Sequence, residues 1–414
     1  MNKSLYIVAF SLAFATTGIA QNNEGQDKVI DLGTQTTTEL RKTQAVSTIY
    51  SDELDKNATT SPYNAIYGLL PGLSVMQNTS WGTDKSRLNV RGRGSLNGDT
   101  PLFVVDGFAR PLEYINLSEI ESISVLKDGA ATALWGGRGA NGVVLITTKR
   151  GIYSQKDIKV DYKFGLGFPV NQPEFADAYT YAKARNEALR YDGLQPDMDE
   201  ASFLSGGNSD LYPNVDWQKE ALRNHTTSHQ LDITFRGGGK RLRYFSVLNY
   251  KNDMGLLNSK YTDYTDRYNS QMKKYFLNLR MNLDVDITDA TKLKLSMLGM
   301  LRETKRPTTS EATLFEQIFN TPSAAFPVQT LNGFWGSNNV LKTNPIANLA
   351  DVGYYKLNQR MLQADLRLVQ DLSVLTRGLS AELAIAYDNN ATYQETAKKS
   401  FMYQTIEKGT DGEP

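Results

Sequence analysis

Beyond residue 155 the chain alternates apolar and polar positions with a period of two. Ile158, Val160, Tyr162, Phe164, Leu166 and Phe168 interleave with Lys159, Asp161, Lys163, Gly165 and Gly167. A second run, Leu277, Leu279, Met281, Leu283, Val285 and Ile287, interleaves with Asn278, Arg280, Asn282, Asp284 and Asp286. Successive strand residues point to opposite faces, so each run predicts a strand with one apolar and one polar side. Similar patterns at 231–235, 242–250, 293–301, 362–372 and 379–387 bring the count to about seven strands. The links between them alternate in length. Long ones near 169–228, 252–274 and 303–358 are separated by turns at Gly237-Gly238-Gly239, Asp289-Ala290 and Arg377-Gly378. Apolar-out, polar-in strands with long links at one end and short turns at the other are the pattern of outer-membrane barrels. A soluble sandwich has no reason for that alternation. The first strand is expected to run outward.

The first 150 residues read differently. Residues 45–51, 88–93 and 102–105 predict strands. Ser61-Pro62 opens a helix, with Tyr63, Ile66, Tyr67 and Leu70 as one buried stripe. Residues 120–151 read strand, short helix, glycine turn, strand. Ile120, Ile123, Val125 and Leu126 form the first apolar run, Asp128 stands at a helix N-cap, and residues 143–148 are β-branched or apolar throughout. Gly137-Arg138-Gly139-Ala140-Asn141-Gly142 fits the dinucleotide pattern G-x-G-x-x-G. That pattern needs a strand before it and a helix after it; here the order is reversed, so no phosphate is expected at this turn. Residues 40–151 thus predict a small mixed α+β domain.

These blocks carry a resemblance. Val90-Arg91-Gly92, Pro101-Leu102-Phe103-Val104-Val105-Asp106-Gly107, Ile120-Glu121-Ser122-Ile123, Val125-Leu126-Lys127-Asp128 and Gly139-Ala140-Asn141-Gly142-Val143 appear in order over about sixty residues. Together they resemble the plug domain of the SusC/RagA family, TonB-dependent outer-membrane transporters of Bacteroidota. The resemblance implies an α+β plug inside an antiparallel transmembrane β-barrel. It also implies import of oligosaccharides or peptides, driven through TonB and assisted by a SusD-like surface lipoprotein. In such proteins a short apolar segment before the plug contacts TonB, and Lys28, Val29, Ile30, Asp31 and Leu32 occupy that place. Outer loops of the family face the substrate, which makes Trp217, Phe334 and Trp335 candidates for ligand contact. Arg91, Arg93, Arg138 and Asp106 are expected to line the seam between plug and barrel.

The N-terminus changes the picture by placing the chain outside the cytoplasm. Lys3, an apolar run over 5–15 and small residues at 18–20 read as a cleaved secretory signal, 1–20. The run is too short for a membrane span of about 20 residues. Residues 21–39 form a flexible leader, short enough that no extra folded domain is expected ahead of the plug. Residues 152–414 are assigned to the barrel. Plugged barrels of this kind have about 22 strands. The residues after Gly151 cannot supply that many, so the wall is expected to be incomplete and to close only with further strands. The chain finishes on a loop sequence, Thr410-Asp411-Gly412-Glu413-Pro414.

Charge and chemistry exclude more than they add. The 45 basic and 45 acidic residues balance, which points away from nucleic acid. The chain has no cysteine, hence no disulfide, thiolate metal site, cysteine nucleophile or lipoprotein anchor. His225 and His229, the only histidines, have the i, i+4 spacing of a helical metal pair, but Thr226-Thr227-Ser228 between them favours extended structure. Asp197, Asp199 and Glu200 lack the glycine and distant glutamate of a calcium loop. No catalytic, cofactor or metal site is therefore expected, and the chain is not read as an enzyme. Two alternatives to an importer stand beside it: a remnant without transport activity of its own, and a soluble secreted β-rich binding protein.

Overall fold

The computed structural model describes residues 10–13, 29–32, 36–38, 41–56, 59, 61–77, 86–94, 98–170, 172–263 and 268–405. The N-terminal part is built on β1 (Val46–Tyr50), β2 (Leu73–Met76), β3 (Arg87–Val90), β4 (Leu102–Val105), β5 (Phe108–Ala109), β6 (Ile120–Leu126) and β7 (Val143–Thr148). Five of these form one sheet in the order β1-β6-β7-β4-β5. The β7–β4 pair is parallel and the others antiparallel. The central strands β6 and β7 are apolar on both faces because both faces are covered. Ile120, Ile123, Val144 and Ile146 pack with Tyr63, Ile66, Leu70 and Leu88 on one side. Val104, Leu126, Val143 and Leu145 pack with Ile30 and Leu32 on the other. Full burial of each such side chain contributes about 2 kcal/mol.

The helix opened by Ser61-Pro62 is shorter than its stripe predicts. It runs Pro62–Ala65 and then unwinds, with Ile66 at φ −92°, ψ 3° and Gly68 at φ 73°. Tyr63, Ile66 and Leu70 are buried, but the unwinding turns Tyr67 outward, 59% exposed. The turn after β6 follows its sequence reading: a helical turn Gly129–Thr132, a 3₁₀ stretch Ala133–Gly139, then β7.

Seven strands follow: β8 (Lys156–Gly167), β9 (Thr226–Gly238), β10 (Leu242–Met254), β11 (Lys273–Asp286), β12 (Thr291–Pro307), β13 (Gly353–Asp371) and β14 (Ser380–Lys398). Each pairs antiparallel with the next in chain order. The last three are 17, 19 and 19 residues long, well beyond the sequence runs that announced them. The short turns and long links alternate as the pattern predicts. A further short strand, Phe10–Ala13, inside the segment read as a signal sequence, lies antiparallel on the free edge of β8. An open edge offers unpaired backbone groups to any extended segment within reach.

The two faces of this sheet are inverted relative to a soluble protein. Leu277, Leu279 and Met281 are 40%, 48% and 37% exposed. Asn278, Arg280 and Asn282, interleaved with them on β11, are at most 1% exposed. The register carries the apolar face across the sheet, with Leu279 opposite Leu248 and Met281 opposite Met297. The sheet is thus apolar outside and polar where it meets the plug, as a barrel wall in lipid requires.

The long links fold together. Trp217 and Leu222 from the first, Leu257 and Tyr261 from the second, and Leu314, Ile318, Ile346 and Leu349 from the third share one apolar core. They form a cap on that end of the wall rather than three separate loops.

Gly142, just before β7, sits at φ 89°, and a Cβ there would lie 2.7 Å from the Cβ of Val90. Replacing it with alanine combines left-handed strain with a clash. The Gly142→Ala variant is expected to lose about 2 kcal/mol of plug stability, read as a lower urea midpoint with unchanged slope.

Candidate functional site

The chemistry of this protein is concentrated where the plug meets the wall. The 3₁₀ turn Leu117–Glu119 ahead of β6 is fixed by a reciprocal cap. The Asn116 side chain accepts from Ser118 N at 3.0 Å, and Glu119 accepts from Asn116 N at 3.3 Å. This aims Glu119 at β11, whose period-2 alternation brings Asn278 and Arg280 to meet it. Arg280 Nε donates to Glu119 Oε2 at 2.5 Å, and Asn278 Nδ2 donates to the other oxygen. The pair is sealed: the side chains of Arg280 and Glu119 are 2% and 0% exposed. Burial pushes the Glu119 carboxyl up, and the Arg280 guanidinium opposes that shift.

The same wall face continues the seam. Asn282 Nδ2 donates to Thr148 Oγ1 at 2.9 Å and to the Lys149 carbonyl at 2.7 Å. Arg150 Nη1 donates to Asp284 Oδ1 at 2.7 Å, and its Nη2 donates to Ser296 Oγ at 3.0 Å. A second anchor lies on β13 and β14. Arg110 Nη1 donates to Asp365 Oδ2 at 2.6 Å, and its Nε donates to Asp388 at 3.1 Å. Burial works against the Arg110 charge, but the two carboxylates outweigh it and hold the group protonated.

Of the four seam residues read from sequence, only Asp106 makes a bond to the wall among the described residues. Its carbonyl accepts from Arg367 Nη2 at 2.8 Å. Its carboxylate turns inward and accepts from Thr148 N and Oγ1 at 3.0 and 2.6 Å. Asp106 has φ 46°, and a Cβ on the following Gly107 would stand 2.7 Å from Arg367 Nη2. The Val105-Asp106-Gly107 block is thus a tight turn pressed against the wall. Arg91, Arg93 and Arg138 are exposed, and Arg93 pairs with Asp99 at 3.0 Å inside the plug. The residues that do the bridging, Arg110, Glu119 and Arg150, sit in positions where sequence offers only an ordinary charge. Nothing local marks them, because their partners lie 130 to 280 residues away.

The remaining motif residues hold the plug itself. Asp128 caps the turn after β6, accepting from Ala131 N at 2.8 Å and from Ala45 N at 2.8 Å. Lys127 Nζ donates to Ser47 Oγ at 2.6 Å and to the Pro71 carbonyl at 3.0 Å. Asn141 Nδ2 donates to the Gly98 carbonyl at 3.1 Å. Leu126 is fully buried, and the Gly139-Ala140 turn leads into β7. Of the TonB-contact segment, Lys28 lies outside the described residues. Val29–Asp31 pairs with Thr36–Thr38, and Ile30 and Leu32 are buried against the plug sheet.

Two of the three aromatics expected to face a ligand are core residues. Trp217 and Trp335 are 3% and 4% exposed, because the long links bury them together; Trp217 Nε1 donates to the Pro322 carbonyl. Phe334 remains 40% exposed. Trp217 also borders a cleft of about 750 Å³ between the first and third long links, with Phe175, Asp177, Asp216 and Arg223. The other polar candidates are spent on structure. Asp197 pairs with Arg185 at 2.6 Å, Asp199 caps Glu200–Ser205, and Glu200 accepts from Asn186. His229 lies within β9, where its Nδ1 is 2.7 Å from the Tyr162 hydroxyl, so the two histidines share no helix face.

Comparison with known proteins agrees with this geometry. Residues 38–143 match the TonB-dependent Receptor Plug Domain family. The chain is 30% identical over 283 residues to the TonB-dependent receptor SusC of Bacteroides thetaiotaomicron. The chain belongs to the SusC/RagA-type TonB-dependent receptors. The SusC match covers 64% of this chain and 26% of that relative. TonB-dependent receptor P26 of Formosa agariphila is 28% identical, over 66% of this chain and 26% of its own length. The RagAB peptide importer in its open-open state has the same fold, with TM-score 0.70 at 19% identity. That likeness covers 89% of this chain and 43% of that one. The chain thus spans about a quarter of the length of the curated relatives it matches.

Two outcomes test the seam and the plug behind it. Glu119→Ala leaves Arg280 buried without its carboxylate and is expected to cost about 3–5 kcal/mol in denaturant unfolding. Adding Arg280→Met to that variant should recover most of the loss. Asp128 gives a pH signature. The Ala45 N–H, chiefly, and the Ala131 N–H hold its carboxyl below 3.8, against the opposing effect of burial. Its stabilisation is therefore complete above that unfolded-state value and lost as pH falls through the lower folded value. Acid titration of plug stability should show this step, and Asp128→Asn should remove it.

Proposed function

We propose that this receptor is part of an outer-membrane importer that takes up oligosaccharides or peptides, energised by TonB and working with a SusD-like lipoprotein. The observation that carries this reading is the inverted wall: apolar side chains outward, and a polar inner face bonded to a folded plug. A soluble binding protein would not expose Leu277, Leu279, Leu301, Leu362 and Leu383 together. The relatives are named as TonB-dependent receptors, and RagAB as a peptide importer, which supports the importer class without choosing between glycans and peptides.

The seam suits a plug that must move. Its bonds are charge-assisted and polar, so water can replace each partner as the plug shifts, which an apolar seam would not allow without exposing core. TonB would engage residues 28–32 by adding a strand to the Val29–Asp31 segment. Because Ile30 and Leu32 are buried against the plug sheet, that engagement requires the segment to lift off it. Pull on the leader would then reach β1 and, through β6, the Glu119–Arg280 pair. The cleft bordered by Phe175 and Asp216, and the exposed Phe334, are the surfaces left to meet substrate or lipoprotein on the outer side.

Fractionation of a Bacteroidota host tests the membrane half of this reading. The chain should appear in the outer-membrane fraction and resist alkaline carbonate. Recovery as a soluble periplasmic protein would favour the secreted binding protein instead. The energising half is tested by binding of a purified periplasmic TonB domain to the vesicle-reconstituted chain. Deletion of residues 28–32 should abolish that binding while the chain stays in the membrane; retained binding would place the TonB contact elsewhere.

A further inference from the structure

The outward face of the wall carries an arrangement that neither the plug nor the TonB contact uses. Lys273 on β11 stands directly opposite Lys305 on β12, and Lys305 directly opposite Lys356 on β13. The three share the apolar face, because Leu277 and Leu301 follow at even spacing on their strands and are 40% and 50% exposed. Facing residues on neighbouring strands lie about 5 Å apart, and like charges placed there repel. One carboxylate, Glu303, on the next row inward, serves two of them, at 3.0 Å from Lys305 Nζ and 3.2 Å from Lys356 Nζ. Arg360 adds a fourth cation, exposed and opposite Leu301. Glu395, opposite Lys356, is bonded to the Tyr354 hydroxyl.

The row's height on the wall identifies what it meets. All three lysines are at the end of the strands where the long links attach, the outer end in this architecture. They lie four residues beyond the last apolar row, or about 10 Å along the membrane normal for strands tilted by roughly 40°. That is the headgroup layer, and lysine stems lie readily along apolar surface while the ammonium seeks the polar layer. The opposite end of the same strands shows no such row. There Val285, Leu293 and Leu368 are in line, followed by Thr291 opposite Gln370. The charge is therefore specific to one leaflet.

We propose that Lys273, Lys305, Lys356 and Arg360 form a lipid-facing site for a phosphomonoester headgroup of the outer leaflet, which a zwitterionic phosphodiester headgroup does not satisfy. The phosphate oxygens would accept from the lysine row and from the forked Arg360 guanidinium, and the acyl chains would lie along Leu277, Leu301 and Leu362. This relieves the repulsion within the row, which Glu303 and Glu395 only partly offset among four cations. The proposal rests on the outer-membrane reading above.

The test uses the full chain in phosphatidylcholine vesicles with and without diphosphorylated lipid A, or its dephosphorylated form. Flotation with all three vesicle types reports membrane insertion; failure to float would overturn the membrane reading itself. Given flotation, retention of lipid on detergent extraction, read by native mass spectrometry, reports on the site. Diphosphorylated lipid A should be retained, and the dephosphorylated form should not. Replacing Lys273, Lys305 and Lys356 together by glutamine should weaken retention by roughly 100-fold, with flotation unchanged. Glu303→Gln, which removes an internal competitor, should strengthen it. Equal retention of both lipids, an unaffected triple variant, weaker retention in Glu303→Gln, or full displacement by inorganic phosphate alone would each overturn the proposal.

Discussion

A strand has two faces, and in this wall the two faces differ in polarity. One side carries apolar side chains, as hydrocarbon requires, while the plug on the other presents charge and backbone polar groups. With no water in the bilayer core, every wall strand must also find its hydrogen bonds in a neighbour. The continuous antiparallel ladder from β8 to β14 meets that need for the strands between its two edges, and the period-2 alternation gives one apolar and one polar face in one sequence. The inward residues then have a fixed task. Asn278, Arg280, Asn282 and Asp284 are buried, so they must be bonded, and the plug supplies Glu119, Thr148, the Lys149 carbonyl and Arg150.

The plug follows from the same demand turned round. Its central strands are apolar on both sides and make a core, while its polar groups are gathered at turns and strand ends that touch the wall. The sequence blocks that mark the family are mostly devices for those turns. Asp106 ties its own turn to Thr148, Asp128 fastens the turn after β6 to Ala45, and Lys127 spans from β6 to Ser47 and Pro71. These bonds keep the small domain in one shape while leaving the seam itself to groups that can exchange partners. A seam of this kind gives specificity of register more than adhesion, since each buried charge costs desolvation that its partner returns.

Above the wall, the three long links behave as one unit. Their shared core explains why Trp217 and Trp335 are almost fully buried although each lies in a stretch that reads as loop. Burying a tryptophan stabilises a cap more than exposing it would serve a binding site, provided its N–H finds an acceptor, as Trp217 does at Pro322. The cap's surface is left to Phe334 and to the polar rim of the cleft.

Local pattern was enough for the architecture. Alternation announced seven wall strands, the turn residues announced the alternation of short turns with long links, and the run from Ile120 to Thr148 announced the strand–turn–strand core of the plug with correct strand limits. These are legible because period, turn residues and caps act between near neighbours. The reading was less exact where propensity met packing: the Pro62 helix stops at Ala65, and β12 to β14 extend past their alternating stretches because pairing with a neighbour prolongs them. What sequence could not disclose is which charges become partners. Glu119 and Arg280, Arg110 and Asp365, and the row of Lys273, Lys305 and Lys356 are brought together only by strand register and by the docking of one domain inside another. Such contacts depend on where distant segments come to rest, and that is decided by the tertiary structure.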